Sequence, residues 1–125
     1  MFGSIVVGTD GSDTAKEAVR QAAELAKAVG AELLVVSAFV GASEDATPLL
    51  ADAAATAQAA GVPVQTFPRP GDPADAILDV AEERDADLIV VGNKGMTGAK
   101  RFLLGSVPNR VSHHAPCSVL IIRTS

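Results

Sequence analysis

The chain has 125 residues, 48% of them hydrophobic and 20% charged, which suits one globular domain over residues 1–125 and excludes a disordered segment. A net charge of −5 argues against nonspecific nucleic-acid binding as a main task, and no apolar run reaches membrane-spanning length. No basic-then-apolar leader precedes Ile5, and the single cysteine, Cys117, forbids an internal disulfide and fits a reducing cytoplasm.

Ser4 to Gly8 (SIVVG) reads as a short buried strand. Ser12 then caps a helix, with Asp13 in its first turn. Ala15, Ala18, Val19, Ala22, Ala23, Ala26 and Val29 share one face of that helix, and Gly30 ends it. Glu32 to Val40 is a second buried strand. Gly41 to Ala46 is a loop. Thr47-Pro48 supplies a cap and a first-turn proline for an alanine-rich helix running to Gly61. Alanines favour helix but bury little, so this helix is expected at the sheet periphery. Val62 to Phe67 holds Pro63 and is expected as an edge strand. Asp72-Pro73 starts a third helix with Ile77, Leu78, Val80 and Ala81 as its apolar positions. Asp87 to Val91 is a fourth strand, Ser106 to Ala115 a fourth helix broken by Pro116, and Ser118 to Ile122 the last strand. Strict alternation of strand and helix predicts a doubly wound α/β fold: a five-stranded parallel sheet with right-handed crossovers. In such folds ligands sit beyond the C-terminal strand ends where strand order reverses, here the ends of the first and fourth strands.

The stretch Val91 to Ser106 (VGNKGMTGAKRFLLGS) feeds from the fourth strand. Gly92, Gly95 and Gly98 recur every third residue, and Gly105-Ser106 follows, beside Lys94, Lys100 and Arg101. Glycines let backbone amides gather on one anion, and a helix N-terminus capped by Ser106 adds partial positive charge. This predicts a phosphate-binding loop. Charge distribution agrees. Residues up to Asp87 hold five basic and fifteen acidic residues, a formal −10, whereas residues 88–125 hold five basic and none acidic, a formal +5.

The first strand-to-helix turn, Thr9-Asp10-Gly11-Ser12-Asp13, lacks both G-x-G-x-x-G and G-K-[ST]. Its acids would repel phosphate. A nucleotide laid across the crevice therefore has base and sugar near Asp10 and phosphates near Gly95, Gly105 and Ser106. Asp10 would accept hydrogen bonds from ribose hydroxyls; ordinary turn chemistry is the competing reading.

Gly92-x2-Gly95-x9-Gly105-Ser106 after an apolar strand resembles the nucleotide motif of the universal stress protein family. The opening IVVGTDGSDTAKEAVRQAAELA and the closing LLGSVPNRVSHHAPCSVLII are similar to it as well, so the likeness spans nearly the whole chain. The resemblance implies a Rossmann-like fold of the adenine nucleotide alpha hydrolase kind with strand order 3-2-1-4-5, a homodimer, and ATP or a related adenine nucleotide, cyclic AMP included, in the crevice. Carried over by position, Thr9 and Asp10 resemble base and ribose contacts, and Ala38, Phe39 and Val40 the wall beside adenine. Val91, Gly92, Asn93, Lys94, Gly95, Gly98, Gly105, Ser106 and Val107 resemble the sugar and phosphate contacts. Gly41 to Gly61 is shorter than in most members, which trims the flap and the second helix.

Chemistry beyond binding has little support. Asp10, with Asp13, is the candidate for holding Mg²⁺ through the phosphates, but no histidine or glutamate is placed as a base, so weak ATP hydrolysis is the most expected. His113 and His114 read as helix C-terminal residues, and Cys117 as a small buried side chain rather than a nucleophile. Ser118 to Ile122 has neither charge nor proline. At a sheet edge it would be an open apolar border, which antiparallel pairing with a second copy would satisfy. The expected role is a cytoplasmic, dimeric stress-response regulator, without nucleic-acid or membrane partners. Alternatives are an interaction module with an empty crevice and an ATP-cleaving enzyme of the related nucleotide-hydrolase fold. A phospho-receiver domain fits worse, because Phe67-Pro68-Arg69 stands where its acceptor aspartate should be.

Overall fold

A computed structural model describes residues 2–93 and 106–124. The chain runs β1 (Ser4–Gly8), α1 (Asp13–Val29), β2 (Glu32–Phe39), a 3₁₀ turn (Ser43–Asp45), α2 (Thr47–Ala59), β3 (Val64–Pro70), α3 (Pro73–Glu83), β4 (Leu88–Gly92), α4 (Ser106–His114) and β5 (Ser118–Ile122). Its five strands are all parallel and lie in the order β3-β2-β1-β4-β5, as the resemblance implies.

Strand side chains alternate between two cores. Ile5, Val7, Leu33, Val35 and Val90 pack under α1 and α2, against Ala18, Ala22, Ala26, Leu50, Ala53 and Ala57. Val6, Leu34, Val36, Ile89 and Val91 pack under α3 and α4, against Ile77, Val80, Val107 and Val111. Helix α1 begins where Ser12 Oγ accepts the Ala15 amide (3.2 Å) and ends at Gly30 in the left-handed conformation. Helix α3 begins in the same way at Asp72, whose carboxylate accepts the Asp75 amide (3.1 Å).

Several boundaries differ from expectation. Val29 is exposed, because it lies beyond the last turn of α1 that the sheet covers. Leu78 is only half-buried, and Ala74 and Ala76 join the buried face of α3. Ala46 precedes α2 without a side-chain cap, so Thr47 is the first helical residue instead of the cap. That helix stops at Ala59, and Gly61 turns the chain at φ 79°. Helix α4 likewise starts at Ser106 and stops at His114, one residue short of Ala115.

Strand β3 is an edge strand, as expected, but it runs from Val64 to Pro70 and excludes Pro63. The ladder explains how it holds two prolines. Leu33 N donates to Pro63 O (2.8 Å) and Gly71 N to Phe39 O (3.0 Å), so odd-numbered residues of β3 face β2. Pro68 and Pro70 therefore sit where the missing N–H would point away from the sheet. On β5 the alternation differs. Asn93 N donates to Ile122 O (2.8 Å), which turns even-numbered residues inward and leaves the N–H groups of Val119 and Ile121 on the outer border. No residue of β5 is fully buried.

The turn after β1 is fixed from α2. Gly11 has φ 80°, and a Cβ there would lie 2.6 Å from Leu49 Cδ2. Gly61 has nearly the same φ, 79°, with nothing within 4 Å of such a Cβ. Gly11→Ala and Gly61→Ala are each expected to cost about 1–2 kcal/mol, the strain of a left-handed alanine, because the Leu49 methyl can turn aside; urea denaturation midpoints read both. A much larger loss at Gly11 would mean that Leu49 cannot move.

Candidate functional site

Strand order reverses between β1 and β4, and a cleft opens there. It is lined by Gly8 of β1, Thr14, Ala15 and Ala18 of α1, Val90, Val91 and Gly92 of β4, and Val107 of α4. Its volume is about 20 Å³, room for about one water, so a larger ligand would lie across the rim instead of sinking into the sheet.

On the β1 side, Thr9 is buried and internally committed. Its N–H donates to Val36 O (2.8 Å), and its Oγ1 accepts from the Gly11 amide (3.1 Å). Asp10 is exposed. Its Oδ1 accepts the Ser12 amide (2.9 Å), an Asx turn, and Oδ2 has no partner among the described residues. The turn reading of Asp10 is thus met by its bond to the Ser12 amide. Ser12 Oγ lies 3.2 Å from Thr14 Oγ1, which brings a second hydroxyl to the cleft wall.

On the β2 side, Ala38 and Phe39 are half-buried, packed against the α3/α4 and α1/α2 cores respectively. Val40 lies past the end of the strand and is 89% exposed, so β2 ends one residue earlier than expected. On the β4 side, Val91 is buried, Gly92 is the last strand residue, and Asn93 follows it. The side-chain Oδ1 of Asn93 accepts from Thr124 N (2.9 Å) and Thr124 Oγ1 (3.1 Å). Ser106 and Val107 open α4; Ser106 is exposed and Val107 buried beside the cleft. Lys94, Gly95, Gly98 and Gly105, with Lys100 and Arg101, lie outside the described residues.

The excess of positive charge after Asp87 is partly accounted for within the fold. Arg110 of α4 meets Asp75 (2.7 Å) and Asp72 (3.6 Å) at the start of α3, so it holds helix to helix and is not spare for an anion. A larger space, about 390 Å³, is an open groove between α1 and α2 lined in part by Thr9, Asp13, Lys16, Glu17, Arg20 and Asp52. The Glu17 carboxyl there is held down to about 2 by hydrogen bonds from Arg20 and Gln21. Arg20 is committed there to Glu17, and the switch-point cleft is the candidate because ligands of such folds sit beyond the strand ends where the order reverses.

Metal and nucleophile chemistry find little footing. Among the described residues, no three His, Cys, Asp or Glu side chains cluster as a metal site, so a cation at Asp10 would need most of its ligands from phosphate and water. His113 is exposed on the last turn of α4, its Nδ1 2.8 Å from Asn109 O, and His114 is exposed beside it. Cys117 is half-buried instead of buried, and burial, then the Asp87 carboxylate, pushes its thiol above the ordinary range. Sequence reasoning missed Thr14, Leu49 and Thr124. Thr14 had a faint signal, a hydroxyl in the first turn of a helix that follows a strand. The other two had none, because their contacts are made across the fold.

The chain matches the model of the Universal stress protein family over residues 1–123. It is 39% identical to a universal stress protein of Mycobacterium tuberculosis over 144 positions, covering 99% of this chain and 98% of the relative. That alignment exceeds the 125 residues here, so the relative has residues with no counterpart in this chain. A universal stress protein crystallised in complex with cAMP is 39% identical, with a TM-score of 0.88 and coverage of 99% and 98%. One from Archaeoglobus fulgidus in complex with dAMP is 32% identical, with a TM-score of 0.79 and coverage of 98% of both chains.

The raised thiol predicts slow alkylation of Cys117 by iodoacetamide at pH 8, well below the rate of free cysteine, and faster reaction as pH rises. A rate equal to free cysteine would contradict the burial of the sulfur. By its residues, its strand order and its relatives, the chain belongs to the universal stress protein family.

Proposed function

We propose that this chain binds an adenine nucleotide across the rim between β1 and β4 and works as a dimeric regulator, not as a fast catalyst. The observation that carries this reading is the pairing of two unlike corners at the point of strand reversal. One is the exposed Asp10 carboxylate, with an oxygen to spare. The other is the β4 end and the N-terminus of α4, where the positive end of the helix dipole favours an anion. Relatives at 39% and 32% identity, crystallised with cAMP and dAMP, support adenine and a single phosphate as the shared ligand chemistry.

In this reading Asp10 accepts from the ribose hydroxyls and Thr9 helps shape the base end. Ala38, Phe39 and Val40 flank adenine, with Val40 already in solvent. Val91, Gly92, Asn93, Ser106 and Val107 approach sugar and phosphate, with Lys94, Gly95, Gly98 and Gly105 completing the loop by sequence. ATP with Mg²⁺ is the extended version, in which Asp10 and solvent share the cation. The setting is cytoplasmic; among the described residues no helix is long and apolar enough to cross a membrane.

Isothermal titration with cyclic AMP, AMP and ATP, with and without Mg²⁺, is expected to show binding. Absence of heat and of a melting shift for all three would favour the interaction module instead. Asp10→Asn keeps an oxygen for the Ser12 amide while removing the charge, so it is expected to weaken adenosine and ATP alike, by about tenfold. Loss for ATP alone would move Asp10 to the metal.

The dimer is proposed through β5. Leu120 and Ile121 are 39% and 38% exposed, and the outward N–H of Ile121 has no backbone partner among the described residues. Ile121→Pro removes that outward donor while sparing the inward ladder to β4, the arrangement that β3 already tolerates at Pro68 and Pro70. It is expected to convert a dimer to a folded monomer in sedimentation at micromolar concentration. A wild-type monomer, or a variant that stays dimeric, would reject this border as the interface.

A further inference from the structure

Asn93 is the last described residue before the glycine stretch, and its side chain is held from an unexpected direction. Thr124, two residues past the end of β5, donates its backbone N–H (2.9 Å) and its hydroxyl (3.1 Å) to the same atom, Asn93 Oδ1. The Asn93 backbone is also fixed, its N–H donating to Ile122 O (2.8 Å). The tail sits close: a Cβ on Gly92 would meet Thr124 Cγ2 at 3.4 Å.

An amide side chain has one accepting end and one donating end, and which end points where is set by its partners. A backbone N–H can only donate, so the end that faces Thr124 must be the oxygen. The Nδ2 end then faces away, and it has no partner among the described residues. Nδ2 can only donate. A ribose hydroxyl can serve as either partner, but a phosphate oxygen can only accept, and a donor beside it gains the strength of a charge-assisted bond.

We infer that Thr124 is a positioning residue which locks Asn93 as a hydrogen-bond donor toward the phosphate of the bound nucleotide. The inference rests on the nucleotide reading above and deepens it, because it assigns Asn93 to the phosphate instead of the sugar. It also gives the C-terminal tail a task at the site. The tail follows directly from β5, so the strand that forms the sheet border and the side chain that meets the ligand are joined through two hydrogen bonds.

The test compares AMP with adenosine by isothermal titration on the full chain and three variants. Asn93→Asp keeps an acceptor for Thr124 but replaces the donor with an oxygen. It is expected to weaken AMP by about tenfold or more and adenosine by less than about twofold. Thr124→Val keeps shape and backbone N–H but loses the hydroxyl; AMP is expected to weaken by about threefold with adenosine unchanged. Thr124→Ser restores the hydroxyl and is expected to match the wild type. Three results would overturn the inference: equal losses for AMP and adenosine, AMP binding by Asn93→Asp at the wild-type level, or no effect of Thr124→Val. If the wild-type chain binds neither ligand, the nucleotide reading falls first and takes this inference with it.

Discussion

The fold turns on a change of direction. From β1 the chain winds outward through β2 to β3, then crosses back to β4 on the far side of β1. Right-handed crossovers send α1 and α2 to one face and α3 and α4 to the other. At the C-terminal ends of β1 and β4, α1 lies on one face and α4 on the other, and a small cleft remains among the described residues. The polar features of the site attach to this gap: the Asx turn at Asp10, the hydroxyl of Thr14, the bare backbone of Gly8 and Gly92, and the start of α4. The chain did not have to evolve a cavity here. The winding leaves one, and local turn chemistry decorates it.

Charge follows the same geometry, although less simply than its count suggests. Acidic residues crowd the first 87 positions, but several serve the fold itself. Asp87 accepts from the amides of Gly3 and Ser4 (2.8 and 3.2 Å) at the N-terminal edge of β1. Glu83 pairs with Arg69, which together with Arg84 lies over the ring of Phe67 (5.8 and 5.3 Å). Arg110 clasps the two aspartates that open α3. These exposed pairs each contribute little to stability. Arg110 links α4 to the start of α3 at the surface, while Val107 and Val111 seat the helix on the sheet.

The architecture was readable because each element carried its own local signal. Ser12 and Gly30 bracket α1, Asp72-Pro73 opens α3, and β-branched runs mark the strands. Errors fell where tertiary contacts override such signals. Strand β3 runs on through Phe67-Pro68-Arg69-Pro70 because the hydrogen-bond ladder puts both prolines on the outside, which composition alone cannot reveal. Thr47 looked like a cap, yet α2 starts on an uncapped Ala46. At the site, motif spacing pointed to Asp10 and the β4 end, both of which lie at the switch point. The commitment of Asn93 to Thr124, 31 residues away, has no signature in either local stretch. Nor does the seat of Leu49 on Gly11.

The two prolines of β3 have a consequence for how many copies can join. A sheet with both borders receptive can add neighbours without limit, and such growth ends in fibres. Here one border is stripped of donors at positions 68 and 70, while the opposite border keeps them at Val119 and Ile121. In the pair proposed through β5, the margins facing outward would be the two β3 borders, and the prolines at 68 and 70 would oppose a third copy there.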